Sequence, residues 1–234
     1  MNKDKIGIIG AMDHEIETLI NNAKINKITK LVSMNFCEGS IGNKDVVIVK
    51  SGMGKVNAGI CANTLINQFG CTKIINTGIS GSLDNKINIG DLVISVDAVQ
   101  HDFDVSFLNF KKGEIPFTGL YAFKADDIMR NIAKSAAKIS APEITVFEGR
   151  ICSGDQFIST KEQKDEIIKN FGGLCCEMEG GAIAQVCYLN NIPFVILRIV
   201  SDSPNETEYI DYKAFEVEAA NRCAKIVLES IKNM

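Results

Sequence analysis

The sequence predicts an α/β fold in which helices cover both sides of a β-sheet. Short runs rich in Val and Ile alternate along the chain with longer amphipathic segments, which is the pattern of strands alternating with helices. Several of the short runs are apolar at consecutive positions, as in strands whose two faces are both buried. The chain has 234 residues, enough to bury a substantial core, and it shows no internal repeat or low-complexity linker. We therefore expect one domain spanning residues 1–234.

The short apolar runs are bounded by Gly, Pro, Asn or Asp, which commonly flank strands. They predict strands at residues 5–9, 45–50, 73–76, 91–96, 144–152 and 194–200. The amphipathic segments predict helices at residues 13–23, 55–69, 125–139, 162–170, 178–190 and 212–232. Residues 101–123 fit neither pattern, and an irregular stretch of this length inside a compact domain is usually functional or packs on a partner.

Composition and charge narrow the classes of function. The 25 basic and 29 acidic residues give a net charge of −4 without a basic stripe, so we expect no nucleic-acid partner. No apolar run approaches the length of a membrane span and no secretory signal is visible, so we expect a cytoplasmic protein without membrane contact. The 8 cysteines lack CxxC spacing and are expected to be free and buried, and 2 histidines are too few for a zinc site. We expect neither a metal nor a cofactor.

Four loops are expected after strand ends, where open α/β sheets bind their ligands. They cover residues 10–15, 51–55, 76–82 and 198–203. Residues 51–55 superficially suggest a phosphate loop, but Val49 and Val56 stand where that motif requires Gly and then Ser or Thr. The opening residues do not match the dinucleotide fingerprint either.

Four carboxylates fall in or near these loops. Glu15 lies in the first turn of the first predicted helix, Glu177 and Glu179 open the fifth, and Asp202 follows the most apolar strand. Acids at helix starts are commonly solvated and favoured by the helix dipole, and Asp202 could cap a turn. From spacing alone, each carboxylate is undecided between a surface role and a chemical one.

Five short motifs occur in order along the chain. They are GAMDHE at residues 10–15, NTG at 76–78, SGDQFI at 153–158, EME at 177–179 and RIVSD at 198–202. Each motif alone is weakly specific, but together they make the chain resemble the bacterial 5′-methylthioadenosine/S-adenosylhomocysteine nucleosidases over nearly its whole length. The resemblance implies a purine nucleoside phosphorylase-like fold, a twisted mixed β-sheet flanked by helices, and a homodimer.

The same resemblance implies hydrolysis of the N-glycosidic bond of 5′-methylthioadenosine and S-adenosylhomocysteine, with 5′-deoxyadenosine as a further candidate substrate. Asp202 would donate a proton to adenine N7, Glu15 would position and activate the attacking water, and Glu179 would bind the ribose hydroxyls. The substrate-binding residues implied are Ala11, Met12, Met53, Ile79, Ser80, Gly81, Phe157, Ile158, Glu177, Met178, Arg198, Ser201 and Tyr212. The residues implied to reach across the dimer interface into the neighbour's 5′-substituent pocket are Val105, Leu108 and Pro116.

These residue types suit the chemistry. Adenine is a poor leaving group unless it is protonated, so one carboxyl must hold a proton near neutral pH. The departing base leaves a sugar with oxocarbenium character, which a carboxylate stabilises, and another carboxylate must orient water. Because these roles need different protonation states, the three carboxyls must lie in different environments.

The chain departs from the family pattern at two places. Ile79 stands where the family often has a serine near the attacking water, and an alkyl group cannot hydrogen-bond that water. Pro204 restricts Ser203 to extended geometry, so the loop near the base is expected to differ in shape. Both changes bear on rate and substrate preference more than on the class of reaction.

Several alternatives remain at this point. A phosphorolytic nucleoside phosphorylase of the same fold would need cationic or donor-rich loops for phosphate, whereas Glu15 would repel it. A non-catalytic nucleoside-binding protein and a nucleosidase acting on futalosine are the other two. Thiol chemistry at Cys175, Cys176 or Cys187 is disfavoured because no histidine lies nearby in sequence. His14 is expected at a helix surface.

Overall fold

The computed structural model describes residues 4–202 and 209–234, with side chains from residue 215 onward in the second segment. Its strands are β1 (Lys5–Gly10), β2 (Lys24–Leu31), β3 (Met34–Ile41), β4 (Lys44–Lys50), β5 (Lys73–Ser82), β6 (Leu92–Gln100), β7 (Phe123–Lys124), β8 (Val146–Ser153), β9 (Cys175–Glu177) and β10 (Phe194–Asp202). Its α-helices are α1 (Asp13–Asn21), α2 (Lys55–Asn67), α3 (Asp127–Ser140), α4 (Lys161–Phe171), α5 (Gly180–Leu189) and α6 (Tyr209–Lys232).

All ten strands belong to one mixed sheet. Strands β4, β1, β5 and β10 run parallel to one another, whereas β2, β3 and β4 form an antiparallel meander. Strand β10 also pairs with β6, and the pairings β6–β8, β8–β9 and β9–β5 lead back to β5. Part of the sheet is therefore closed into a ring, and the carboxyl ends of β1, β5 and β10 meet at one edge.

Helices cover both faces of the sheet, as the strand pattern predicts. Ile8 packs in a cluster with residues of α1, α3 and α6, whereas its neighbour Ile9 packs in a second cluster with residues of α2 and α5. Both isoleucines are fully buried. Burying such a side chain contributes about 1.5–3 kcal/mol, which explains why consecutive positions are apolar in these strands.

Local signals set the ends of the helices. The side chain of Asp126 accepts the backbone N–H of Met129 at 2.8 Å and caps α3. The side chain of Thr160 accepts the N–H of Gln163 at 3.3 Å at the start of α4. That helix ends at Gly172, whose φ of 63° is costly for residues with a Cβ.

All six predicted helices and all six predicted strands are present with shifted ends, and the mixed sheet flanked by helices is confirmed. The prediction missed β2, β3, β7 and β9. The β2–β3 hairpin turns at Val32 and Ser33, which have positive φ values of 43° and 64° but lack the Asn-Gly or Gly signal of such turns. Residues 101–123 are irregular, as expected, except for a 3₁₀ turn at Ser106–Leu108 and the start of β7.

Three loop and helix assignments were wrong. Residues 76–82 lie inside β5, and residues 198–202 lie inside β10, because these strands continue in the ladder past their apolar runs. Glu177 ends β9 and Glu179 precedes α5, so the EME motif is the junction between a strand and a helix. In the described part of the chain, no helix is both long enough and apolar enough to cross a membrane.

Candidate active site

A cleft opens at the edge where β1, β5 and β10 end. Its volume is about 620 Å³ including the open mouth, within the range of about 300–1,000 Å³ usual for small-ligand sites. The lining residues are Ala11, Met12, Glu15, Met53, Ile79, Ser80, Gly81, Gln156, Phe157, Ile158, Cys176, Glu177, Met178, Glu179, Ser201 and Asp202. All of these except Gln156 and Cys176 are site residues expected from the sequence. Four of the five motifs contribute lining residues, and the residues that directly follow the NTG motif also line the cleft.

Glu15 is buried at the wall of the cleft, with 3% of its surface exposed. One carboxylate oxygen, Oε2, accepts the backbone N–H groups of Ala11 at 2.6 Å and Met12 at 3.0 Å, and Oε1 accepts that of Ile79 at 3.2 Å. A Cβ at position 78 would overlap Oε1, so Gly78 is required for this approach. Burial raises the pKa of Glu15, against the opposing effects of Arg198 and the three N–H groups.

Glu177 of the cleft wall forms a buried ion pair with Arg198, which lies behind the wall. Arg198 Nη2 lies 2.5 Å from Glu177 Oε2 and 2.6 Å from Asn76 Oδ1. Although burial opposes it, the carboxylates of Glu177, Glu15 and Glu179 raise the pKa of Arg198, so the guanidinium remains charged.

The carboxylate of Glu177 also stabilises the junction between β9 and α5. Its carboxylate accepts the backbone N–H groups of Glu179 at 3.0 Å and Gly180 at 2.8 Å, and the hydroxyl of Ser153 donates to it. The sequence-based expectation gave Glu177 a substrate-binding role, and Glu177 lines the cleft. Its contacts in addition orient Arg198 and Glu179.

Glu179 has a different environment from Glu15. It is 6% exposed, and its Oε1 accepts the backbone N–H of Gly54 at 2.8 Å. Its other oxygen lies 4.0 Å from Arg198 Nη2. Burial, and then the negative charge of Glu177, raise the pKa of Glu179 to about 7. The positive φ of 93° at Gly54 allows the loop before α2 to direct that N–H at the carboxylate.

Asp202 ends β10 at the other side of the cleft, and its side chain is 26% exposed. Its Oδ2 accepts from Lys164 Nζ at 3.0 Å, and its Oδ1 lies 3.3 Å from the hydroxyl of Ser201, which also lies 3.2 Å from the carbonyl of Ser80. Sequence reasoning missed Lys164. The available signal was its spacing with Ile167 and Phe171, which places a lysine on the buried face of α4.

The segment that carries Phe157 forms the rim of the cleft. Phe157 is 53% exposed and Met53 is 62% exposed, whereas Ile158 is buried. The turn just before Phe157 is fixed by Asp155, which accepts the backbone N–H of Lys55 at 2.7 Å and donates its own to Asp102 Oδ2 at 2.8 Å.

Some expected site residues lie elsewhere. Arg198 does not line the cleft but lies behind it, fully buried. Val105, Leu108 and Pro116 do not line it either; Leu108 is 62% exposed, on the irregular stretch between β6 and β7. The side chain of Tyr212, and the turn at Ser203 and Pro204, lie outside the described residues.

The cysteines and His14, which were considered as alternative nucleophiles and base, are poorly suited to that chemistry. Burial raises the pKa of Cys175 to about 12 and raises that of Cys187 as well, so neither is a thiolate at neutral pH. His14 Nε2 lies 3.0 Å from Glu216 Oε1 on α6, and His14 does not line the cleft. Among the described residues, three carboxyls remain as candidates for the chemistry, each in a different environment. Glu15 accepts backbone N–H groups, Glu179 has a raised pKa, and Asp202 lies beside the ammonium group of Lys164.

Known proteins similar to this chain include a matching family and several nucleosidases. The model of the phosphorylase superfamily matches residues 5–232. The 5′-methylthioadenosine/S-adenosylhomocysteine nucleosidase of Staphylococcus carnosus is 41% identical over 232 residues, 98% of this chain and 100% of that one. That of Shewanella frigidimarina is 38% identical over 231 residues, again 98% and 100% of the two chains.

Solved structures agree with these relatives. The nucleosidase of the same name from Neisseria meningitidis, in complex with methylthio-immucillin-A, superposes with a TM-score of 0.94 at 36% identity, covering 99% of this chain and 100% of that one. The futalosine hydrolase of Helicobacter pylori superposes with a TM-score of 0.93 at 31% identity, covering 99% and 98%.

Proposed function

The chain belongs to the phosphorylase superfamily and, within it, to the 5′-methylthioadenosine/S-adenosylhomocysteine nucleosidases, and on that premise we propose that it hydrolyses the N-glycosidic bond of these two nucleosides. The products are adenine and the 5′-substituted ribose. The observation that carries the proposal is the meeting of Glu15, Glu179 and Asp202 in one cleft with three different surroundings. Such divergence is what a reaction with one acid, one base and one charge-stabilising group requires.

We assign the three roles by similarity to the family. Asp202, at the end of β10, donates a proton to adenine N7, and the electron pair of the C1′–N9 bond leaves with the base. Glu179 binds the ribose hydroxyls and stabilises the positive charge that develops on the sugar. Glu15, whose pKa burial raises, takes the proton of the water that attacks C1′. Its backbone donors hold the acceptor oxygens in place before substrate arrives.

Different residues contact the adenine base and the sugar of the bound nucleoside. Phe157, which is half-exposed at the rim, stacks on adenine, and the backbone of Ile158 reads the base edge. Met178 and Met53 give the sugar and its sulfur substituent an apolar, polarisable surface.

Hydrolysis is favoured over phosphorolysis by the charge of the cleft. A phosphate co-substrate needs cationic or donor-rich loops. The Glu15 carboxylate instead accepts three backbone N–H groups at the cleft wall, and Arg198 is paired with Glu177. The named relatives are nucleosidases, which agrees with this reading.

We further propose a homodimer in which Val105, Leu108 and Pro116 complete the neighbour's 5′-substituent pocket. The support is the exposure of apolar side chains on the same irregular stretch: Phe107 is 97% exposed and Phe117 is fully exposed. Large exposed apolar patches mark interaction surfaces. The 8 cysteines are all free and buried, which fits the reducing environment of the cytoplasm. In that compartment the reaction would serve methionine salvage.

A second candidate substrate is futalosine, because a futalosine hydrolase superposes as well as the nucleosidases do. 5′-Deoxyadenosine is a third, because it has the same adenine and ribose but no sulfur substituent at the 5′ position. Both leave the reaction class unchanged.

The test is release of free base from purified protein in phosphate-free buffer. We expect adenine from 5′-methylthioadenosine and S-adenosylhomocysteine, with no increase on adding phosphate. Strict dependence on phosphate would establish phosphorolysis, and tight binding without adenine release would establish a binding protein. Parallel assays with 5′-deoxyadenosine and futalosine rank the 5′ substituents.

A further inference from the structure

Lys164 is a buried cation next to the carboxyl that acts as the general acid in the proposed function. Its side chain is 3% exposed, and its Nζ lies 3.0 Å from Asp202 Oδ2. It projects from the first turns of α4, on the face that also buries Ile167 and Phe171. A lysine on such a face loses its hydration, and a charge in that position is stable only beside an opposite charge.

Among the residues that the structure describes, the other groups around Asp202 do not replace that charge. Ser201 and Ser80 offer a hydroxyl and a carbonyl, and β9 contributes the thiols of Cys175 and Cys176, which burial keeps neutral by raising their pKa values. The remaining titratable groups of the cleft, Glu15, Glu177 and Glu179, are carboxyls. Arg198 is engaged by Glu177 and Asn76.

An acid that protonates adenine must carry a proton when the base is in place, yet an ammonium group at 3.0 Å favours the carboxylate. The two requirements are compatible if the proton arrives with the substrate. The N7 lone pair of a bound purine would face an oxygen of Asp202, and two acceptors repel each other unless a proton lies between them.

We propose that Lys164 is a positioning residue that keeps Asp202 deprotonated and correctly oriented in the empty cleft, so that binding of a purine with an N7 acceptor is coupled to uptake of one proton from solvent. This inference rests on the proposed role of Asp202. The proton passes from solvent to Asp202, then to N7 as the C1′–N9 bond breaks. Asp202 returns to the carboxylate and pairs again with Lys164. The attacking water gives its proton to Glu15 and then to solvent, so the cycle balances.

The first experiment measures the pH profile of kcat/KM, which reports the protonation of the free enzyme. Replacing Lys164 by Met removes the positive charge that lies 3.0 Å from Asp202 Oδ2. We expect Lys164→Met to move the alkaline limb upward by about one pH unit or more, and Lys164→Arg to keep the wild-type limb. Lys161→Met, at an exposed position on the same helix, is the matched control and should leave the profile unchanged.

An unchanged alkaline limb in Lys164→Met, with only a uniform loss of rate, would make Lys164 a structural residue and overturn the inference. Adenine release by the wild-type enzyme tests the proposed function separately. If that release is absent, the function fails; if it is present and the limb does not move, only the role of Lys164 fails.

The second experiment needs no variant and so does not depend on Lys164→Met folding. A carbocyclic 5′-methylthioadenosine, which keeps N7 but cannot form an oxocarbenium ion, is titrated into wild-type enzyme at pH 8 in two buffers of different ionisation enthalpy. We expect uptake approaching one proton per site. The 7-deaza counterpart, which has a carbon in place of N7, should bind without it. Equal proton uptake for both ligands, or none for either, contradicts the coupling.

Discussion

Arg198 and Glu177 form an ion pair of 2.5 Å in which each side chain is only 2% exposed. Around this pair the structure arranges Asn76 of β5 and the backbone that starts α5. The pair therefore connects three of the sequence motifs without itself needing to touch the substrate.

Loss of the negative charge at this pair should destabilise the protein strongly. Glu177→Gln leaves the buried guanidinium without its main partner, and we expect the free energy of unfolding to fall by about 3 kcal/mol or more. Urea unfolding followed by circular dichroism measures the change. Asp165→Asn, which breaks the exposed pair with Lys161, is the control and should cost less than about 1 kcal/mol. Equal effects of the two variants would show that burial of the pair does not matter.

Glu15 should matter for chemistry rather than for stability. Glu15→Gln removes the proton acceptor for water, and we expect kcat to fall by about 10²–10⁴-fold. His14→Ala changes the adjacent side chain, which points at Glu216, and should retain activity. Steady-state adenine release measures both. Full turnover by Glu15→Gln would remove it from the mechanism.

Glu179 should make the stability of the empty enzyme depend on pH. Burial raises its pKa to about 7 from an ordinary value of 4.5, so the folded state binds this proton more tightly than the unfolded chain. Stability is therefore lost as pH rises from about 4.5 to about 7 and stays lower above that. Glu179→Gln cannot lose the proton, and its advantage over wild type should grow from pH 5 to pH 8, by on the order of 1–3 kcal/mol.

Thermal melts at pH 5 and pH 8 measure that difference, with Glu179→Gln inactive in the adenine assay at both. A constant difference in melting temperature across this range would mean that Glu179 does not titrate as its burial indicates.

Ile79 is expected to limit turnover. Its side chain lines the cleft close to Glu15, yet it offers no hydrogen bond to a water there. Ile79→Ser supplies a hydroxyl, and one added hydrogen bond of about 0.5–1.5 kcal/mol corresponds to a two- to tenfold rise in kcat. The comparison is made at saturating 5′-methylthioadenosine. A fall in kcat would instead assign the isoleucine a packing role that turnover requires.

Leu108 should act between subunits. Leu108→Glu places a charge on an exposed apolar surface, and we expect it to shift the protein to a monomer and to raise KM for 5′-methylthioadenosine more than for adenine-ribosides that lack a bulky 5′ group. Light scattering gives the mass and initial rates give KM. Ile139→Glu, at an exposed site on α3, is the control. A monomeric wild type would contradict the proposed dimer.

The features that could be predicted from the sequence are those that leave a pattern in neighbouring side chains. Buried strands and amphipathic helices were found because their apolar periods are strong, and β2 was missed because lysines interrupt it. The cleft residues were found through motifs. Lys164 was not found, because a lysine normally lies at the surface and only the tertiary fold brings its Nζ to within 3.0 Å of Asp202. The ring closure through β9 depends on three residues, too few to give a period.

The position of β2 at the end of the sheet has a consequence for solubility. A terminal strand offers unpaired backbone groups to any passing chain, and natural proteins guard such strands with charge. Lys24, Lys27 and Lys30 are exposed along β2, beside the exposed Ile28. Repulsion between these like charges would keep two copies from pairing through this strand. The β2–β3 hairpin, which is remote from the cleft chemistry, would thereby protect the protein from aggregation at high concentration.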